Sequence, residues 1–112
     1  MAFLRQIPHS DGAGIIEAVG EGVSASRMGE RVWLWNAAIG RAHGTCAEYI
    51  AVPEKQAVAL HEKTEFLSGA CFGVPLMTAA YGVLGDGAVD GQTILVTGGA
   101  GRLVITPCKS PD

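Results

Sequence analysis

The 112 residues are enough for one domain and too few for two. With 48% hydrophobic and 17% charged residues, the chain is too apolar and too sparsely charged for intrinsic disorder. A formal net charge of -3 with no local Lys/Arg cluster excludes a general attraction to nucleic acid, and no apolar stretch approaches the roughly 20 residues of a membrane span.

The start Met1-Ala2-Phe3-Leu4-Arg5 lacks the charged and apolar regions of a signal peptide, so a soluble cytoplasmic protein is expected. Up to residue 60 the hydrophobic period is nearer two than 3.6, which predicts short strands between turns. Gly14 to Val19 reads as a strand, closed by Gly20-Glu21-Gly22. After a turn at Met28-Gly29-Glu30, Arg31 to Trp35 alternates bulky residues across two faces and reads as a second strand. A loop of small residues, Asn36 to Gly44, leads to a third predicted strand over Thr45 to Val52. That stretch places Cys46, Glu48, Ile50 and Val52 on one side and Ala47, Tyr49 and Ala51 on the other, and Pro53 ends it. A short fourth run covers Gln56 to Leu60.

Helical signals begin at Thr64, an expected N-cap with Glu65 in the first turn and an apolar stretch through Phe72. Pro75 suits the first turn of a second helix, in which Leu76, Ala79, Ala80 and Val83 recur at helical spacing. Gly85-Asp86-Gly87 breaks that helix and Asp90-Gly91 forms a turn. Thr93 to Thr97 then reads as a strand buried on both faces, of the parallel kind, and it runs directly into Gly98-Gly99-Ala100-Gly101.

Glycine is in excess, 16 of 112, so the chain turns often or brings its backbone close to something. A strand running into a glycine-rich turn lets backbone N–H groups approach a pyrophosphate, though such turns also serve structure alone. Here Val104 stands where a third small residue is expected, and Pro107 and Pro111 oppose the following helix. The cysteines Cys46, Cys71 and Cys108 are odd in number and form no Cys-x-x-Cys pair, which favours inert thiols over a disulfide or zinc framework. His9 and Asp11, with Cys46 as a distant third ligand, are weighed as a metal site against simple loop hydrogen bonding, which is favoured. Ser10 beside His9 and Asp11 lacks the Gly-x-Ser-x-Gly elbow of a hydrolase. Trp33 and Trp35 share a strand face and are expected to pack in a core or interface.

Taken in order, Ser10-Asp11-Gly12-Ala13-Gly14 with Ile16 to Val23, Gly29-Glu30-Arg31-Val32, Gly44 to Tyr49, Thr78-Ala79-Ala80-Tyr81 and Gly91 to Gly101 resemble the signature blocks of the medium-chain dehydrogenase/reductases. Within that family the chain resembles the zinc-independent quinone oxidoreductase, or zeta-crystallin-like, branch. The zinc branch carries a metal-binding His where this chain has Ser10, and a hydroxyl is a poor substitute for imidazole on zinc. The resemblance implies an α/β fold. Its parts would be the later portion of a GroES-like β-domain over 1–62, linking helices over 63–91, the first strand of a Rossmann domain over 92–102 and an atypical tail over 103–112.

The same resemblance implies hydride transfer from NADPH to a quinone or an α,β-unsaturated carbonyl, with no metal. Thr78 would orient the nicotinamide, and Gly98, Gly99 and Gly101 would line the pyrophosphate turn, while no residue is assigned as proton donor. Relative to the family pattern the chain is expected to lack the first β-domain strands and the later Rossmann strands. Two outcomes are therefore carried: an oxidoreductase-family fragment, or a non-enzymatic product that is inactive or associates with another copy or a full-length homologue through sheet edges.

Overall fold

The computed structural model describes residues 3–101. The chain divides into two compact units, Met1–Val74 and Pro75–Asp112. The first holds a three-stranded antiparallel sheet in the order β1-β2-β3, formed by β1 (Gly12–Ile15), β2 (Arg31–Leu34) and β3 (Ala57–Ala59).

The register pairs Gly12 with Leu34 and Ile15 with Arg31, and one further pair of backbone hydrogen bonds closes the ladder around Ile16. Ile16 N–H donates to Glu30 C=O at 3.0 Å and Gly29 N–H to Ile16 C=O at 2.8 Å. Gly29 has φ +83, a conformation that glycine adopts without a Cβ penalty, and it turns the chain away at that point. β1 therefore stops at Ile15 rather than at the predicted Val19, because β2 offers no residue opposite Glu17 to Val19.

The alternation expected of the second strand is present. Val32 and Leu34 are buried, while Arg31 and Trp33 are partly exposed on the opposite face. Trp33 meets Phe72 edge-on with ring centroids 6.0 Å apart, and Trp35 donates its indole N–H to Lys55 C=O at 3.2 Å. The buried apolar residues of this unit are few: Val32, Leu34, Ala37 and Leu60. Between β2 and β3 the buried Gln56 side chain accepts from the Arg41 guanidinium and donates to Asn36 C=O, so its amide is satisfied at both ends.

The predicted third strand over Thr45 to Val52 does not form. Its first amides are taken by a loop instead: Gly44 N–H donates to Ile7 C=O, Thr45 N–H to His9 C=O and Cys46 N–H to Pro8 C=O at 2.8, 2.9 and 3.1 Å. A single parallel bridge joins Ile7 and His43. Alternation specifies faces but supplies no partner, and among the described residues no strand lies beside 47–52 to complete a ladder.

The Thr64 N-cap is also corrected. α1 (Phe66–Gly69) is a single turn with Glu65 at its N-cap and no side-chain capping bond. Thr64 is held in the preceding turn by its N–H to His61 C=O at 2.9 Å and by its own C=O, which accepts Arg31 Nη2 at 2.8 Å. Arg31 also donates to Glu62 C=O at 2.5 Å, and its guanidinium lies 4.4 Å from the Phe66 ring centroid. One planar fork thus binds β2 to the 61–66 turn. Arg31→Lys keeps the charge but loses the fork and the stacking. It is expected to lower unfolding stability by about 1–2 kcal/mol, read as a drop in urea midpoint.

A π-helical turn, Phe72–Leu76, contains Pro75 and leads into α2 (Met77–Leu84) of the second unit. As the Gly85-Asp86-Gly87 signal predicts, α2 ends there: Gly85 N–H donates to Tyr81 C=O at 2.8 Å and Gly87 takes φ +120. Gly91 turns the chain again at φ +71. The buried parallel strand expected over Thr93 to Thr97 is not present in this structure, since residues 92–96 carry no ladder and Ile94, Leu95 and Val96 are exposed. Apolar content makes the stretch suited to a buried strand, but a strand exists only beside another. Val104, Pro107, Cys108 and Pro111 lie outside the described residues.

Candidate functional site

Every residue singled out for cofactor contact lies in the second unit. Thr78 is the second residue of α2 and is exposed; among the described residues its hydroxyl makes no hydrogen bond. Gly98 takes φ +68, and the N–H of Gly101 donates to Gly98 C=O at 2.8 Å, so the Gly98-Gly99-Ala100-Gly101 stretch is a closed tight turn. A Cβ built on Gly98 or Gly99 would meet nothing within 4 Å, whereas one on Gly101 would lie 3.1 Å from Gly98 C=O. Among the described residues, therefore, nothing obstructs the approach of a ligand to Gly98 and Gly99.

Among the described residues, concavities lie elsewhere. In the first unit an open hollow of about 900 Å³ is bounded by Ile16, Val19, Val32, Leu34, Ile50 and Val52, among others. The stretch that failed to form a strand, residues 47–52, is one of its walls. Arg27 is at its edge, and the carboxylate of Glu30, 2.6 Å away, raises its pKa above the ordinary guanidinium value, with Glu54 adding to the effect. Arg27 also donates to Ala57 C=O at 2.7 Å, so its donors serve the structure. The rest of the hollow's lining is mostly apolar, with Glu17, Thr45, Glu48, Tyr49 and Glu54 supplying polar groups. In the second unit a shallow groove of about 240 Å³ runs along Leu76, Ala79, Ala80, Val83 and Leu84. Neither concavity includes Thr78, Gly98, Gly99 or Gly101.

The loop residues weighed as metal ligands are not gathered. No group of three or more His, Cys, Asp or Glu able to hold a metal occurs among the described residues. His9 sits at φ +74, Cys46 and Cys71 are free and exposed, and the Asp11 carboxylate accepts the Val74 N–H. The hollow was not foreseen from the sequence. Its signal was the alternation of small and β-branched residues over 12–20 and 45–52, which marks an inward face without saying what fills it.

Residues 2–62 match the alcohol dehydrogenase GroES-like domain. The quinone oxidoreductase of Sus scrofa is 36% identical over 108 residues, 96% of this chain and 32% of that protein. The quinone oxidoreductase of Homo sapiens is 35% identical over the same coverage. The synaptic vesicle membrane protein VAT-1 homolog of Homo sapiens is 34% identical over 110 residues, 94% of this chain and 26% of that protein. The chain thus spans about a third of the length of the quinone oxidoreductases it matches. No solved structure matches it. No described helix is long and apolar enough to cross a membrane. With the GroES-like match covering more than half of the residues and the relatives extending it through the glycine turn, the chain belongs to the alcohol dehydrogenase GroES-like domain family, in the quinone oxidoreductase branch of the medium-chain dehydrogenase/reductases.

Proposed function

We propose that the chain carries part of a nicotinamide-dependent oxidoreductase whose complete form moves a hydride from NADPH to a quinone or an α,β-unsaturated carbonyl. One observation carries this reading: similarity to quinone oxidoreductases covers 96% of the chain, so it runs beyond the GroES-like segment and through the glycine turn. In such a form residues 1–62 would belong to the β-domain, 63–91 to the linking helices and 92–102 to the start of the nucleotide-binding domain. Thr78, exposed in the first turn of α2, would orient the nicotinamide, and Gly98, Gly99 and Gly101 would let the pyrophosphate approach the backbone. Ser10 in place of a metal-binding His points to zinc-independent chemistry.

The test supplies the rest of the enzyme. Residues 7–101 replace their aligned counterparts in the porcine quinone oxidoreductase, and NADPH oxidation is followed with a simple quinone. Turnover is expected in the chimera, and Thr78→Val in it should lower kcat/KM by about tenfold, as loss of one orienting hydrogen bond would. A folded chimera with no NADPH-dependent quinone reduction would overturn the reading.

For the 112-residue polypeptide itself a second reading is favoured by the open glycine turn and the absence of Thr78 from either concavity. In that reading residues 1–112 alone are expected to turn over no quinone, because a dinucleotide needs a crevice between strands to bury its surface.

A further inference from the structure

Asp11 lies immediately before β1, where four stretches of the first unit converge. Its backbone C=O accepts the Thr45 hydroxyl at 2.5 Å, the neighbouring Ser10 C=O accepts Ala37 N–H at 2.9 Å, and His9 C=O accepts Thr45 N–H at 2.9 Å. These bonds hold the Asp11 backbone from both sides. Its carboxylate reaches a fourth stretch: Oδ1 accepts the Val74 N–H at 2.8 Å, across 63 positions of sequence.

The residue before Val74 is matched to that carboxylate. Gly73 is buried and has φ -61 and ψ -119, a non-helical conformation inside the Phe72–Leu76 turn. A Cβ on Gly73 would fall under 3.0 Å from Asp11 Oδ1 and from Leu34 C=O, so the carboxylate fills the space any side chain would need. The kink at Gly73 also takes the following amide out of helical hydrogen bonding, and Asp11 supplies the acceptor. Val74 is the last residue of the first unit, and Thr78 follows four positions later.

We propose that Asp11 is a positioning residue whose carboxylate, packed against Gly73 and bonded to the Val74 amide, fixes the point at which the Thr78-bearing segment leaves the strand-bearing unit. Only the mention of Thr78 rests on the function proposed above; the clasp is a property of this chain and is tested without cofactor. Val74 is 41% exposed, so removing the carboxylate admits water to its amide and leaves no buried orphan. The effect is therefore local opening and not global unfolding.

Amide hydrogen exchange, resolved by residue in the full 112-residue chain, reads this directly. In Asp11→Ala the Val74 amide should exchange about tenfold faster relative to the Val32 and Leu60 amides, while Asp11→Asn, which keeps an Oδ1 acceptor, should stay within about threefold of wild type. Gly73→Ala, which displaces the carboxylate with a methyl group, should open Val74 as Asp11→Ala does, and the double variant should add little to either. An unchanged Val74 rate in Asp11→Ala, or Asp11→Asn exchanging as fast as Asp11→Ala, would overturn the proposal. Should Asp11→Ala not fold, Gly73→Ala decides: a Val74 amide still protected there overturns the clasp. Failure of quinone reduction in the chimera, by contrast, would leave these exchange results untouched.

Discussion

Gly44→Ala is expected to destabilise the chain by at least about 3 kcal/mol, enough to unfold most of a domain with so thin a core. Gly44 is buried, and a Cβ there would come under 3.0 Å from the carbonyl oxygens of Ile7, Pro8 and His9 together. None of the three can rotate away as a side chain would. Each also accepts a backbone hydrogen bond from Gly44, Cys46 or Thr45, so relieving the clash costs those bonds, about 1 kcal/mol each. Gly14→Ala is the control, since a Cβ at Gly14 would meet nothing within 4 Å and its φ is not positive. It should change stability by less than about 1 kcal/mol. Urea unfolding followed by the fluorescence of Trp33 and Trp35 measures both. Equal midpoints for the two variants would mean that the 7–11 and 44–46 stretches do not dock as described.

Binding of NADPH by residues 1–112 is expected to be weaker than millimolar. A millimolar complex already requires about 4 kcal/mol of net binding free energy, after offsetting several kcal/mol for immobilising the ligand. The glycine turn is expected not to supply this, because among the described residues nothing comes within 4 Å of a Cβ on Gly98 or Gly99, and the Gly101 N–H is taken by Gly98 C=O. A pyrophosphate held there would remain in water, where its contacts with backbone amides replace equally good contacts with solvent. Nicotinamide fluorescence and titration calorimetry check the point. Saturation in the micromolar range would sink it.

The contrast between Gly44 and Gly98 shows how much could be read from the chain. Both are glycines in turn-rich stretches, and the sequence separates them only by neighbours. Gly98 follows an apolar run and resembles a pyrophosphate turn, whereas Gly44 closes a loop of small residues that attracts no attention. The geometry reverses their weight for stability, since crowding depends on what the rest of the chain brings alongside. Asp11 is similar. In the sequence it stands beside His9 and Ser10, like a metal ligand or a member of a catalytic cluster, but its partner is an amide 63 positions away.

What the sequence determined by itself is the set of features decided within a few residues. The turn at Gly29, the stop at Gly85 and Gly87, and the two-faced strand around Val32 and Leu34 all follow from local backbone freedom and from a side-chain period of two. The family was also legible, because its blocks are short, ordered and rich in glycine. Tertiary structure alone decided where pairing begins and ends. β1 is cut to Gly12–Ile15 by the length of β2, residues 47–52 become one wall of a hollow, and residues 92–96 stay outside any ladder. The reason is that an apolar or alternating stretch records which face wants burial, while a strand exists only when a second backbone, distant in sequence, supplies its hydrogen bonds.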